Sequence, residues 1–356
     1  MDNRKIKVFI IDDQRVVRNV IKKMLSTDPD IVVVGEASNP FEASELIPEV
    51  EPDVLTLDVE MPRMDGVEFL RKLMPQYPIP VIMVSSTTEE GSEKAFLAMQ
   101  YGAFDFVTKP DGGALALENT QSELIQKIKE ASTINIERWL RQTKFRPNEL
   151  NQNQKLGKSE KSRFSLIAIG ASTGGVTAIR QLLSEVPRDF PCIVITQHMP
   201  PGFTTTFAKG VSKDFGLDVR EAQNQDLVQA GRIYIAPGDY HLIVNKRNGL
   251  NHTVSLTKGD KVNGHRPSVD VLFSSIVENK LAGETIGVIL TGMGMDGAKG
   301  LLALREAGAK TIGENEQSAL IYGMPKVAYD IGAVEEQLPL SQMVSRLKYF
   351  LNYSSY

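Results

Sequence analysis

Ser165-Leu-Ile-Ala-Ile-Gly170-Ala-Ser172-Thr-Gly-Gly175 decides the fold of the longer part of this 356-residue chain. The apolar run Leu166 to Ile169 reads as a strand buried on both faces, and Gly170, Gly174 and Gly175 permit a sharp turn before a helical pattern at Val176 to Leu183. A hydroxyl at that junction projects beyond the sheet edge. Gly170-Ala171-Ser172-Thr173-Gly174 fits the Gly-x-Ser-x-Gly elbow, and the helix start behind it offers backbone N–H donors to an anion. Phosphate-binding loops and plain turns share the pattern, so Ser172 needs a partner base before it counts as a nucleophile.

Ile193-Val-Ile-Thr-Gln-His198 supplies one at the end of a second apolar strand. The other histidines stand in polar or turn-rich contexts, where a surface or structural role suits His241 and His252; His265, between Gly264 and Arg266-Pro267 in a rigid turn, is harder to set aside. A third buried strand, Ile286 to Leu290, runs into Thr291-Gly-Met-Gly-Met-Asp296-Gly and then a helix over Ala298 to Glu306. Asp296 is the candidate orienter of His198; capping of the helix that follows is the alternative and is compatible with it. Three strand ends bearing Ser, His and Asp make one site in an open parallel sheet, where ligands bind beyond the carboxyl ends. The order Ser, His, Asp differs from the Ser, acid, His order of the α/β-hydrolases, so the elbow does not imply that fold.

The first third carries a separate pattern. Strand-like runs at Lys7 to Ile11, Ile31 to Val34, Val54 to Leu57, Val81 to Val84 and Phe104 to Val107 alternate with helical patterns at Val16 to Leu25, Phe41 to Val50, Val67 to Met74 and Glu93 to Tyr101. Such alternation predicts a doubly wound parallel sheet. Asp12 and Asp13 follow the first strand, Asp58 the third and Lys109 the fifth. Carboxylates converging on one sheet edge repel each other, and a hard divalent cation such as Mg2+ relieves that repulsion.

Composition supports two sizeable cores, with 42% hydrophobic residues in 356. The single cysteine, Cys192, precedes a buried strand and reads as a core residue; an internal disulfide is excluded, and no zinc motif is present. No apolar run is long enough to span a membrane, and Met1-Asp-Asn-Arg-Lys5 lacks the apolar core of a signal peptide, so no membrane insertion and a cytoplasmic location are expected. Over residues 138 to 163 eight basic residues, Arg138, Arg141, Lys144, Arg146, Lys155, Lys158, Lys161 and Arg163, face only Glu149 and Glu160, which reads as a solvated linker or a docking segment for an acidic surface. With no helix-turn-helix and a net charge of −4, a nucleic-acid partner is not expected.

The segments Gly-Ala-Ser-Thr-Gly-Gly, Gln-His-Met-Pro, Ile-Ala-Pro-Gly-Asp, Gly-His-Arg-Pro-Ser-Val-Asp-Val-Leu-Phe, Leu-Thr-Gly-Met-Gly-Met-Asp-Gly and Tyr-Gly-Met-Pro-Lys, in order over residues 164 to 340, closely resemble the chemotaxis protein-glutamate methylesterase family, CheB. The resemblance implies Ser172 as nucleophile, His198 as general base and acid, Asp296 as its orienter and the Met293 N–H as an oxyanion-hole donor. It implies glutamate methyl esters, and glutamine amides, on chemoreceptor helices as substrates. One departure is Glu314, in Ile312-Gly-Glu-Asn-Glu316, where relatives usually carry glutamine. If Glu314 faces the site, its charge bears first on deamidation.

Residues 5 to about 125 resemble the receiver domain of response regulators. That resemblance implies Asp58 as phosphoacceptor, Asp12, Asp13, Asp58 and the Glu60 carbonyl as Mg2+ ligands, Ser85 as switch hydroxyl and Lys109, before Pro110, as the cation facing the phosphoryl group; Phe106 replaces a common tyrosine. The expected architecture is α/β throughout: a flavodoxin-like receiver domain over 1–125, a helix end and basic linker over 126–163, and a doubly wound methylesterase domain over 164–356. The expected partners are methylated chemoreceptor cytoplasmic helices and a chemotaxis histidine kinase, with a monomeric chain and no esterase cofactor. Two alternatives remain from sequence: a serine hydrolase of the same build acting on another ester, and a non-catalytic, phosphorylation-dependent binding module.

Overall fold

The computed structural model describes residues 4–86, 88–109, 114–136, 139, 162–247 and 252–352, and the chain divides into two compact units, 1–144 and 145–356. Most of the basic stretch, Arg138 through Lys161, and Pro110 lie outside the described residues.

In the first unit five parallel strands, β1 (Ile6–Ile11), β2 (Ile31–Ala37), β3 (Val54–Asp58), β4 (Val81–Ser85) and β5 (Asp105–Thr108), stand in the order β2-β1-β3-β4-β5. That is the flavodoxin-like order, with the switch point beside β1. Every residue of β3 and β4 is buried, as central strands of a parallel sheet covered on both faces should be. Helices α1 (Arg15–Leu25), α2 (Pro40–Val50), α3 (Gly66–Leu73), α4 (Glu89–Gln100) and α5 (Ala114–Ser132) complete the unit. Two differences from the sequence reading have local causes. Helix α4 starts at Glu89 rather than Glu93, because Thr88 caps it by accepting from the Gly91 N–H and two glutamates suit the positive end of its dipole. Strand β2 runs on to Ala37, its polar Glu36 paired with Arg18 and Lys22.

The second unit contains the strands β6 (Leu166–Ala171), β7 (Cys192–Gln197), β8 (Asp218–Glu221), β9 (Arg232–Ile235), β10 (His241–Asn245), β11 (Thr253–Thr257), β12 (Thr285–Ile289), β13 (Lys310–Glu314) and β14 (Glu336–Leu338). Seven of them form a parallel sheet in the order β14-β13-β12-β6-β7-β9-β8. The other two, β10 and β11, make a separate antiparallel hairpin that was not legible as a strand pair. Helices α6 (Gly175–Leu183), α7 (Phe203–Phe215), α8 (Val269–Glu278), α9 (Ala298–Glu306), α10 (Met324–Asp330) and α11 (Leu340–Phe350) accompany the sheet. Strand β6 is flanked by β7 on one side and β12 on the other, which is where chain order reverses and a crevice opens at the carboxyl ends. All residues of these three strands are buried. Cys192 sits in that core, where burial pushes its thiol up to about 12, so it is inert at neutral pH.

Helix α8 lies against β6 because position 170 has no side chain. A Cβ on Gly170 would come within 2.1 Å of Val269 Cγ1. Gly170→Ala is therefore expected to destabilise the second unit by about 1–3 kcal/mol in urea unfolding, the usual cost of overpacking. Stability equal to wild type would contradict this packing.

Candidate functional site

The ladder that joins β6, β7 and β12 continues past the strand ends. The Ser172 N–H donates to the Thr291 carbonyl at 3.0 Å and the His198 N–H to the Ala171 carbonyl at 3.2 Å. This stitching brings the three candidate side chains together. His198 Nδ1 lies 3.1 Å from Ser172 Oγ, and His198 Nε2 lies 2.8 Å from Asp296 Oδ2. Asp296 is an obligate acceptor when ionised, so the proton belongs on Nε2 and Nδ1 is left to accept from the serine hydroxyl.

Asp296 holds more than the histidine. Its carboxylate accepts from His198 Nε2, Asn263 Nδ2, Ser268 Oγ and the Val269 and Asp270 N–H groups. The last two belong to the first turn of α8, so Asp296 caps a helix remote in sequence; α9, which follows it, is capped instead by Gly297 in a left-handed conformation. The alternative reading of Asp296 as the cap of its own helix is thus corrected. Burial alone would raise its pKa, but the donors and the His198 charge outweigh that and hold it well below the usual carboxylate range.

The remaining supports lie in the same crevice. Gln197 Nε2 donates to the Ser172 carbonyl at 2.9 Å and to the His198 carbonyl at 3.1 Å. Thr291 Oγ1 donates to the Thr173 carbonyl and accepts from the Ile321 N–H, tying the β12 loop to the serine turn. Gly292 packs so close that a Cβ there would sit 2.7 Å from Ser172 Cβ. Among the described residues no backbone hydrogen bond uses the N–H of Met293 or of Thr173. Thr173 was missed from sequence, although the residue after an elbow serine commonly provides an oxyanion donor. His241 is structural: its Nδ1 accepts from the Ser268 N–H and its Nε2 donates to the Asp260 carbonyl. His252 lies beside Glu284, whereas His265 stacks on His198, ring centroids 3.7 Å apart.

In the first unit, Asp12, Asp13 and Asp58 offer carboxylate oxygens that all lie within 4.8 Å of one another. Lys109 Nζ is 2.7 Å from Asp58 Oδ2 and 3.6 Å from Asp12 Oδ2. Burial, with Asp12 adding to it, pushes the Asp58 carboxyl up to about 6 despite the lysine. Asp12 Oδ2 and Asp13 Oδ1 are buried without a hydrogen-bond partner. Hard oxygen donors, excess negative charge and orphaned lone pairs fit a divalent cation. Glu60 donates its N–H to Asp58 Oδ1, and its side chain is exposed. The Ser85 hydroxyl is committed to the Gly91 carbonyl of α4 at 2.9 Å. Phe106 packs edge-on against Phe96 and beneath Lys127.

The family model for the CheB methylesterase matches residues 167–347, and that for the response regulator receiver domain matches 8–118. A protein-glutamate methylesterase/protein-glutamine glutaminase 2 of Syntrophomonas wolfei is 47% identical over 98% of both chains. Its counterpart in Pectobacterium atrosepticum is 47% identical over 96% of both. The crystal structure of the Thermotoga maritima CheB methylesterase catalytic domain covers 52% of this chain and 97% of its own, at 38% identity and a TM-score of 0.50. The chain belongs to the CheB methylesterase family.

Against the CheB pattern, Glu314 stands out in sequence but not in the crevice. It is buried, with Oε2 accepting from the Thr291 N–H and Oε1 from Ser318 Oγ, so its charge is spent on holding the β12 loop. A glutamine oxygen would accept from the same N–H, and the departure leaves the site without an added solvent-facing carboxylate.

Because its pKa is held down in the folded state, Asp296 contributes stability that is complete above the ordinary aspartate pKa near 4 and is lost as pH falls below that value. Between pH 7 and pH 3 the second unit's unfolding free energy should therefore fall more steeply in wild type than in Asp296→Asn, the two curves converging at low pH. Parallel curves would contradict the five-donor arrangement.

Proposed function

We propose that the chain is a phosphorylation-regulated serine esterase that hydrolyses glutamate methyl esters on chemoreceptors and deamidates their glutamines. The observation that carries this reading is the continuous hydrogen-bonded line Ser172, His198, Asp296 across three strand ends at the sheet's switch point. The names of these relatives agree in reaction and substrate class.

In this reading Ser172 Oγ attacks the ester carbonyl carbon while its proton passes to His198 Nδ1. The Nε2–H to Asp296 bond keeps the ring in the accepting tautomer and stabilises the imidazolium that forms. The Thr173 and Met293 N–H groups receive the oxyanion. As the tetrahedral adduct collapses, Nδ1 returns the proton to the leaving methoxide, and methanol departs from an acyl-serine. Water, deprotonated by the same nitrogen, then releases the glutamate carboxylate and Ser172. With a glutamine substrate the leaving group is ammonia. No esterase cofactor enters these steps.

The first unit is the regulator. Asp58 accepts the phosphoryl group from a chemotaxis histidine kinase; Asp12, Asp13, Asp58 and the Glu60 carbonyl would hold Mg2+, which would supply charge compensation when bound. Lys109 faces the phosphoryl oxygens, and Ser85 turns from the Gly91 carbonyl toward them as the switch. The working divisions are a receiver over 1–125, a linker over 126–163 and the esterase over 164–356. The chain acts as a cytoplasmic monomer on the cytoplasmic helices of methylated receptors; among the described residues no helix is long and apolar enough to cross a membrane.

Ser172→Ala should fold normally and lose on the order of 10^4-fold or more in methanol release from methylated receptor membranes. His198→Ala should be severely impaired, and combining it with Ser172→Ala should add little, because the residues act as a unit. Retention of more than a few per cent of activity in Ser172→Ala would sink the assignment. Incubation with acetyl phosphate should add one phosphoryl mass to wild type when Mg2+ is present and none to Asp58→Asn. Equal labelling of that variant would move the phosphosite elsewhere.

A further inference from the structure

Between β11 and α8 the chain makes a tight reversal at Val262-Asn263-Gly264-His265. Val262 and His265 exchange backbone hydrogen bonds of 3.1 and 2.9 Å, and the two residues between them have φ of 52° and 83°. Positive φ at both central positions is the requirement of a type I′ turn, for which Asn-Gly is the favoured pair. Backbone geometry thus accounts for asparagine at 263 without any role in chemistry. It does not account for where the side chains go.

Asn263 Nδ2 spans two carboxylates, donating to Asp296 Oδ1 at 2.7 Å and to Asp270 Oδ2 at 2.8 Å. Two residues on, the His265 ring lies face to face with His198, at an interplanar angle of 10°. We propose that this turn is a positioning element of the esterase site, in which the Asn263 amide aims Asp296 and the His265 ring sets the plane of His198. The inference rests on the reading of Ser172 as nucleophile.

The two contacts do separate jobs. Asp270 stands near enough to Asp296 to repel it, and its other oxygen is held by the Gly300 N–H. An amide with both hydrogens used between the two carboxylates fixes their spacing and directs Asp296 Oδ2 at the histidine. The hydrogen bonds at Nδ1 and Nε2 fix two points of the His198 ring but leave it free to tilt about the line joining them. A parallel ring at 3.7 Å removes that freedom. An aromatic ring of another kind would serve equally, since the contact is through the face. Productive proton transfer needs the nitrogen lone pair to point at Ser172 Oγ, so a tilt lowers the rate without touching substrate affinity.

Full-length protein reacted with a small fluorophosphonate reads the alignment apart from receptor docking. Ser172 Oγ bonds to phosphorus, fluoride leaves, and the serine proton passes to His198. Asn263→Gly retains a turn-competent Gly-Gly pair while removing the amide. It should label about tenfold more slowly than wild type and lower kcat for receptor methyl esters by a similar factor, with KM within about twofold. His265→Ala should behave alike, and His265→Phe should return to within about threefold of wild type. The substitutions at His265 lie outside the central turn positions and carry the test should Asn263→Gly lower the thermal midpoint. Wild-type labelling in Asn263→Gly and His265→Ala, or a rise in KM alone, would overturn the proposal. So would a phenylalanine variant as slow as the alanine one. Wild type that fails to label at Ser172 would instead overturn the nucleophile assignment.

Discussion

The carboxylate of Asp296 is the constraint on which the esterase site depends. It is buried, so its charge is tolerable only while donors surround it, and they come from His198, Asn263, Ser268 and the first turn of α8. Satisfying one anion therefore draws together the β7 end, the turn after β11, the start of α8 and the β12 loop. The same act that neutralises the burial cost orients the imidazole, so stability and chemistry share one set of bonds. This coupling also explains the glycines around it. Gly170 and Gly297 let Val269 approach to where any side chain would collide, which places the α8 N-terminus within reach of the carboxylate.

Both units use the same topological device for different chemistry. In each, functional side chains sit at the carboxyl ends of strands next to the point where chain order reverses. At β1 and β3 the edge collects Asp12, Asp13 and Asp58, and the excess negative charge makes a cation and phosphoryl site. At β6, β7 and β12 the edge carries a hydroxyl, an imidazole and a carboxylate, which hydrogen-bond to one another in a line. What distinguishes the two sites is the number of carboxylates left without hydrogen donors. Asp296 has donors on both oxygens, whereas Asp12 Oδ2 and Asp13 Oδ1 have none.

Much of this was legible in sequence because buried parallel strands leave unbroken apolar runs, and the residue following each run is placed by the sheet itself. Ser172, His198, Asp12, Asp13 and Asp58 were read that way, and Asp296 from the glycine-rich loop that follows a third such run. Contacts that depend on packing in space were not. That Asp296 caps α8 rather than its own helix and that Glu314 turns inward beneath the Thr291 loop are set by neighbours distant along the chain. The Asn-Gly pair at 263–264 signalled a turn, but no local pattern says that the turn faces two carboxylates and a histidine ring. The β10–β11 hairpin was missed because its strands are short and mix polar with apolar residues.

The most direct test of the central claim is the protonation state of the His198 ring nitrogens, read by 15N NMR of full-length protein labelled in histidine. Near neutral pH the neutral ring should occupy a single tautomer, protonated at Nε2 toward Asp296 with Nδ1 free to accept from Ser172, and Asp296→Asn should abolish that preference. A ring protonated at Nδ1, or one averaging between the two tautomers in wild type, would contradict the account.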